Sequence, residues 1–210
     1  ARVLKFTDSP YYDKALYNEC NKTLHRAKRI ARENERFYYW FELLNWEKML
    51  LEEAYESGEF TKDLDALIDE EREVIEKLRN LAAYHILYSK INYVFRSGGY
   101  VRTDEEHAMV EEISEHPLIK GKNTAQSRRA ATICFYTQGF CQWAKRDWAQ
   151  SFEKFSRAKQ ILDDNPLIKA DLPKRYIRTL HYLIQCLIEL GRFKEARDGI
   201  KQLRALDGQE

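Results

Sequence analysis

The sequence predicts an all-α protein built from about nine helices, packed as antiparallel helix pairs, and three observations carry that reading. Glycine and proline number only 8 and 4 in 210 residues, while the strong helix formers Glu, Lys, Leu, Ala and Arg dominate. Apolar residues recur every three to four positions along nearly the whole chain, and no segment alternates as a strand would. The connections between the helical segments are short, which forces neighbours to lie antiparallel. A chain of this length folds as one elongated or one large globular domain and buries roughly 70% of its unfolded surface. Residues 1–210 are therefore read as a single domain: an extended lead-in over 1–8, an N-terminal helix over 9–36, and helix pairs over 37–210.

Each element has its own signals. Ser9-Pro10 caps and opens the first helix, whose apolar positions run Tyr12, Leu16, Cys20, Leu24, Ala27 and Ile30/Ala31. A second helix, from Arg36 through the aromatic run Phe37–Phe41, ends at Gly58. A third opens at Thr61 and carries Leu64, Leu67, Ile75 and Leu78; a fourth covers Leu81–Ser97 and ends at Gly98-Gly99. The fifth starts with a capping box, Thr103 and Glu106, and stops near His116-Pro117. Asn123 to about Arg146 and Trp148 to about Leu162 form the next two. Asp171 to Leu190, closed by Gly191, and Phe193 to about Leu206 complete the set.

The chain also repeats. Four turns are followed by an aromatic that opens the next helix, at Phe60, Tyr100, Trp148 and Phe193, so the intervals are 40, 48 and 45 residues. PLIK occurs at Pro117–Lys120 and again at Pro166–Lys169, each time after the second helix of a pair. A period of this size marks an array of helix pairs in which each pair buries its face on the next.

Around Phe135, Gly139, Trp148, Ser151, Phe155 and Ala158 the chain resembles the tetratricopeptide repeat. Small residues there let helices approach and a large one fills the gap. Ser151 stands where the family usually has Ala, and Pro166 falls later than the family's closing proline. The resemblance extends more loosely to Leu180, Leu183, Leu187, Gly191, Phe193, Ala196, Ile200 and Leu203. It is best over about 130–205 and weaker over 35–115, and the spacing exceeds the family's period of about 34 residues throughout. A HEAT-like or other helical solenoid is the alternative. Either resemblance implies a right-handed superhelical stack whose first helices line a concave face.

The charge is nearly balanced, 35 Lys plus Arg against 34 Asp plus Glu, so bulk electrostatics give no reason to expect nucleic acid or membrane binding. No apolar run approaches 18 residues and no signal peptide is visible. The chain opens at Ala1 rather than Met and reads as a piece of a longer protein. The four cysteines, Cys20, Cys134, Cys141 and Cys186, make no CxxC pair and sit in apolar helical patterns. They are expected to be reduced core thiols, which suits a cytoplasmic protein, rather than metal ligands or disulfides.

No glycine-rich phosphate loop, HExxH or GxSxG occurs, and neither a cofactor nor a metal is expected. His107/Glu111 and Glu112/His116 have the spacing of metal pairs, but a solvated acidic helix face produces the same spacing. Lys22, Arg26 and Arg29, with Lys28, Arg32 and Arg36, form a basic stripe that could neutralise phosphates or simply face water. The rings of Phe37–Phe41 cover more than one helix face, so most are expected in the core, with one or two available for a binding patch.

The best functional lead comes from the resemblance, which places four rows of first-helix residues on the concave face. These are Asn45, Lys48, Glu52 and Tyr55; His85, Tyr88, Asn92 and Arg96; Ile133, Tyr136, Phe140 and Trp143; and Arg178, His181, Gln185 and Glu189. The ten expected to bind are His85, Tyr88, Asn92, Arg96, Tyr136, Phe140, Trp143, Arg178, His181 and Gln185. They mix aromatics with hydrogen-bonding groups as a peptide surface would. The competing reading is that Ile133, Phe140 and Trp143 pack under a neighbouring helix. Family members that clamp a terminal carboxylate use Lys and Asn at fixed inner positions; Asn92 matches one, while Tyr88 stands in place of a Lys. The expected function is a non-enzymatic scaffold for a protein or peptide. The alternatives are an RNA- or phosphate-binding solenoid using the stripe near Arg26, and an enzyme with His85 or His181 as base.

Overall fold

Ten helices and no strand occur among the described residues of the computed structural model, which describes 10–56, 64–96 and 100–207. In chain order they are α1 (Pro10–Glu33), α2 (Phe37–Glu56), α3 (Leu64–Arg96), α4 (Asp104–Glu115), α5 (Pro117–Lys120), α6 (Arg128–Ala144), α7 (Trp148–Asp163), α8 (Pro166–Asp171), α9 (Pro173–Glu189) and α10 (Phe193–Asp207). The all-α expectation is met. The lead-in, the Ser9 cap, the turn from Gly58 to Thr61 with Phe60, and Gly98-Gly99 lie outside the described residues.

Packing divides the chain into two compact units, Ala1–Leu78 and Arg79–Glu210. In the first unit, Glu35 takes a left-handed φ of 53° and turns α1 back onto α2. Phe37, Trp40, Leu44 and Leu51 form the buried stripe of α2, facing water-excluded Leu24 and Ala31 of α1 and Leu67 and Val74 of α3. The same core holds a buried cation. Lys28 Nζ donates to Glu47 Oε2 at 2.5 Å and Glu70 Oε2 at 2.6 Å, and Trp40 Nε1 donates to Glu70 Oε1 at 2.7 Å.

The second unit is built on a larger core. Buried residues of α3 (Tyr84, Leu87, Ile91, Val94 and Phe95) join those of α4, α6, α7 and α9 in one cluster. Three-residue turns join α6 to α7 and α9 to α10, and α7 also packs on α9. Gly139 is the closest approach: a Cβ there would sit 2.6 Å from the Phe155 ring of α7. Beside it the buried Ser151 hydroxyl donates to the Gly139 carbonyl at 3.0 Å, so this hydroxyl is buried with its hydrogen bond made.

Four sequence expectations need correction. The third and fourth helices are one helix, α3, because Arg79-Asn80 contains no breaker. The helix expected from Asn123 begins at Arg128, capped by Ser127; Asn80 holds the preceding loop, with Nδ2 donating to the Thr124 carbonyl and Oδ1 accepting from Gln126 N, both at 3.0 Å. Both PLIK segments are short helices of their own, each with Pro at its first turn and its Ile (Ile119, Ile168) buried, and α9 starts at Pro173 rather than Asp171. Cys134, Cys141 and Cys186 are buried, but Cys20 is exposed. Burial pushes the Cys141 thiol up to about 12 and Cys186 to about 11, so both stay protonated and inert at neutral pH.

Candidate binding groove at the start of α9

Two features of the second unit build a groove. Pro173 breaks the chain between α8 and α9, because a proline at the first helical position cannot continue the preceding helix. The exposed break, Asp171-Leu172-Pro173-Lys174, stands against the aromatic side of α3 and α6. The result is an open groove of about 470 Å³, lined by Tyr88, Tyr136, Asp171, Leu172, Pro173, Lys174, Arg175 and Arg178.

Its floor is aromatic. Tyr136 is 1% exposed and its ring lies 5.6 Å from Tyr88, 5.1 Å from Phe140 and 6.1 Å from Tyr182, centroid to centroid. Its hydroxyl is buried without a hydrogen-bond partner among the described residues. Burial, reinforced by the neighbouring Tyr88 and Tyr182 hydroxyls, pushes its ionisation far above the usual range, so it remains an O–H donor.

Its wall is cationic. The Arg175 guanidinium lies 5.4 Å above the Tyr88 ring and meets no carboxylate among the described residues. Burial lowers its pKa, opposed by the two tyrosines and assisted by the charges of Arg129 and Arg178. Arg178 is exposed and also has no partner among the described residues. The one lining carboxylate, Asp171, is taken by Arg129, whose Nη2 donates to Oδ2 at 2.5 Å. His85 lies close enough for burial and then the Arg175 charge to lower its pKa below the ordinary value.

Of the ten expected binding residues, Tyr88, Tyr136 and Arg178 meet in this groove and His85 lies beside it. Phe140 and Trp143 do not line the groove. They are 1% and 7% exposed and belong to the core, Phe140 against Phe95 and Tyr182 at 4.9 and 4.8 Å, Trp143 edge-on to Trp148 at 5.0 Å. Ile133 is buried with them. Asn92 is half-buried, and His181 and Gln185 are exposed, but none of the three lines the groove. The Arg96 and Tyr55 side chains lie outside the described residues, and Lys48 is engaged by Glu71 at 2.5 Å. The lining residues missed from sequence are Asp171, Leu172, Pro173, Lys174 and Arg175, of which Arg175 contributes most to the wall. Its signals are present in retrospect: Pro173 marks a helix start, and Arg175 and Arg178 are one turn apart on one face.

The other candidates are occupied by ordinary structure. In the basic stripe Lys22 pairs with Glu19, Arg29 with Glu33 and Arg32 with Glu73, and Lys28 is buried between two carboxylates. On α4, Glu111 faces Lys145 at 3.1 Å and Glu112 faces Lys90 at 3.3 Å, while His116 Nδ1 accepts the Leu118 amide to cap α5. The aromatic run divides: Phe37 and Trp40 are core, whereas Tyr38 and Tyr39 are exposed. No described helix is long and apolar enough to cross a membrane. Comparison of the chain with protein-family models, with curated proteins and with solved structures finds no match.

Proposed function

We propose that the chain is a non-enzymatic interaction scaffold. In this reading the helix pairs of the second unit form a TPR-like right-handed stack, and a protein or peptide segment binds in the groove at Tyr88, Tyr136 and Arg178. The observation that carries it is the wall of two unpaired arginines beside tyrosine rings. Arginine and tyrosine are the residue types that most often dominate binding energy, because they bury large area with few torsions to fix. Lys22, Arg29 and Arg32 on the α1 stripe already face carboxylates and Lys28 is buried between two, which favours this groove over a phosphate-backbone surface at Arg26.

The test uses the chain as bait in extract of its source cells. Tyr88→Ala combined with Arg178→Ala should weaken retention of a wild-type partner by about 30-fold, a hot-spot loss of about 2 kcal/mol, with little change in melting. Replacing Lys22, Arg26 and Arg29 by Gln should leave that partner bound. The reverse pattern rejects the groove and favours the stripe.

A further inference from the structure

We infer that the groove is a subsite for a phosphoryl group, a phosphomonoester carried on a side chain of the bound segment. The inference rests on the groove reading above and adds the chemistry of its occupant. Three cations, Lys174, Arg175 and Arg178, line the groove against a single carboxylate, and Arg129 already neutralises that carboxylate. The surplus is three positive charges, which a dianion offsets more fully than a single carboxylate does.

The donors also outnumber their acceptors. Among the described residues, Arg175 presents a planar fork with no carboxylate to receive it, and Arg178 has no partner. The Tyr136 hydroxyl is buried, held protonated, and donates to nothing among the described residues. A buried donor without an acceptor is uncommon in a folded protein and asks for an explanation. A phosphoryl group brings three terminal oxygens, all acceptors, to a site rich in donors whose one carboxylate is already engaged by Arg129. The groove also opens at the N-terminal end of α9, a helix of 17 residues whose N-cap, Leu172, contributes no side-chain cap. The positive end of the helix dipole there adds to the attraction for an anion. The pyrrolidine of Pro173 and the Tyr88 ring leave apolar contacts on either side for the segment that carries the phosphate.

Three fluorescent pools of 12-residue peptides with randomised flanks, centred on phosphoserine, on Ser or on Glu, test this by retention on the full chain. Inorganic phosphate and a short single-stranded RNA serve as competitors. The phosphoserine pool should be retained at least tenfold above the other two, and inorganic phosphate should compete. Lys174→Gln with Arg178→Gln, both at exposed positions, should abolish the difference between pools; Tyr136→Phe, which keeps the ring, should reduce it severalfold with unchanged melting. Equal retention of phosphoserine and Ser pools overturns the phosphoryl subsite while leaving the peptide groove intact. Equal retention of phosphoserine and Glu pools overturns it in favour of carboxylates. Competition by inorganic phosphate with no pool retained overturns the peptide source, and stronger competition by RNA overturns the choice of a monoester. No retention and no phosphate effect overturns the inference outright.

Discussion

Gly139 has no room for a side chain, since even a Cβ would lie 2.6 Å from the Phe155 ring, and that ring is fully buried. Gly139→Leu should therefore force α6 and α7 apart and lower stability by about 1–3 kcal/mol or more; a parental melting temperature would show that the ring can move away freely. Lys28 is a different kind of buried position. It holds two carboxylates, Glu47 and Glu70, together at 2.5 and 2.6 Å, and its own side chain is only 9% exposed. Lys28→Met removes the cation that bridges those carboxylates, so unfolding followed by tryptophan fluorescence should show a loss of about 3 kcal/mol or more. His85 reports on the groove. Burial and then Arg175 lower its pKa from the ordinary value of about 6.5. As pH falls below about 6.5 the unfolded chain takes up the proton first, so this residue costs stability on acidification, and the loss levels off below the folded pKa. Arg175→Gln removes the second cause and should raise the His85 pKa part of the way back, as read from its ring protons by NMR; an unchanged titration would separate Arg175 from His85.

At the scale of elements, the signals that were legible are those whose physics is local. Thr103 and Glu106 form the expected box, with Glu106 N donating to Thr103 Oγ1 at 3.1 Å and Thr103 N donating to Glu106 Oε2 at 3.3 Å. Phe155, Ala158 and Ala196, which the resemblance placed in contacts between helices, are buried. What failed depends on partners distant in the chain. The loop that precedes α6 is held by Asn80, more than forty residues earlier, and the burial of Phe140 and Trp143 is set by α3, α7 and α9 together. The same periodicity fits an inward row and a groove-lining row, so tertiary packing alone decides which residues surface. The continuity of α3 was hidden because Ile75, Leu78 and Arg79 break the buried stripe between Val74 and Tyr84 without breaking the helix. Arg79→Pro distinguishes the two. At a turn between helices a proline would be tolerated, whereas inside a continuous helix it should cost about 3 kcal/mol and helical circular dichroism near the site. Unchanged melting and ellipticity would restore the two-helix reading.

At the scale of the whole molecule, the two units differ in what holds them. The described core of the first is a stripe of aliphatic side chains with Phe37 and Trp40, organised around a buried lysine and its two carboxylates. The second buries an interlocked set of rings: Tyr136 packs edge-on to Phe140, Phe155 and Tyr182, and Phe155 stacks on Tyr182 at 5.4 Å. Aromatic pairs add to the burial of their area, whereas a buried ion pair gives back in desolvation much of what it gains in attraction. Local stability should follow that difference. Native-state amide exchange should show the buried turns of α1 and α2 opening at lower free energy than those of α6, α7 and α9. Gly139→Leu should then accelerate exchange in α6 and α7 while the amides around Trp40 keep their parental rates. Identical opening energies across α2 and α6, falling together in the variant, would instead mean that the 210 residues unfold as one cooperative body.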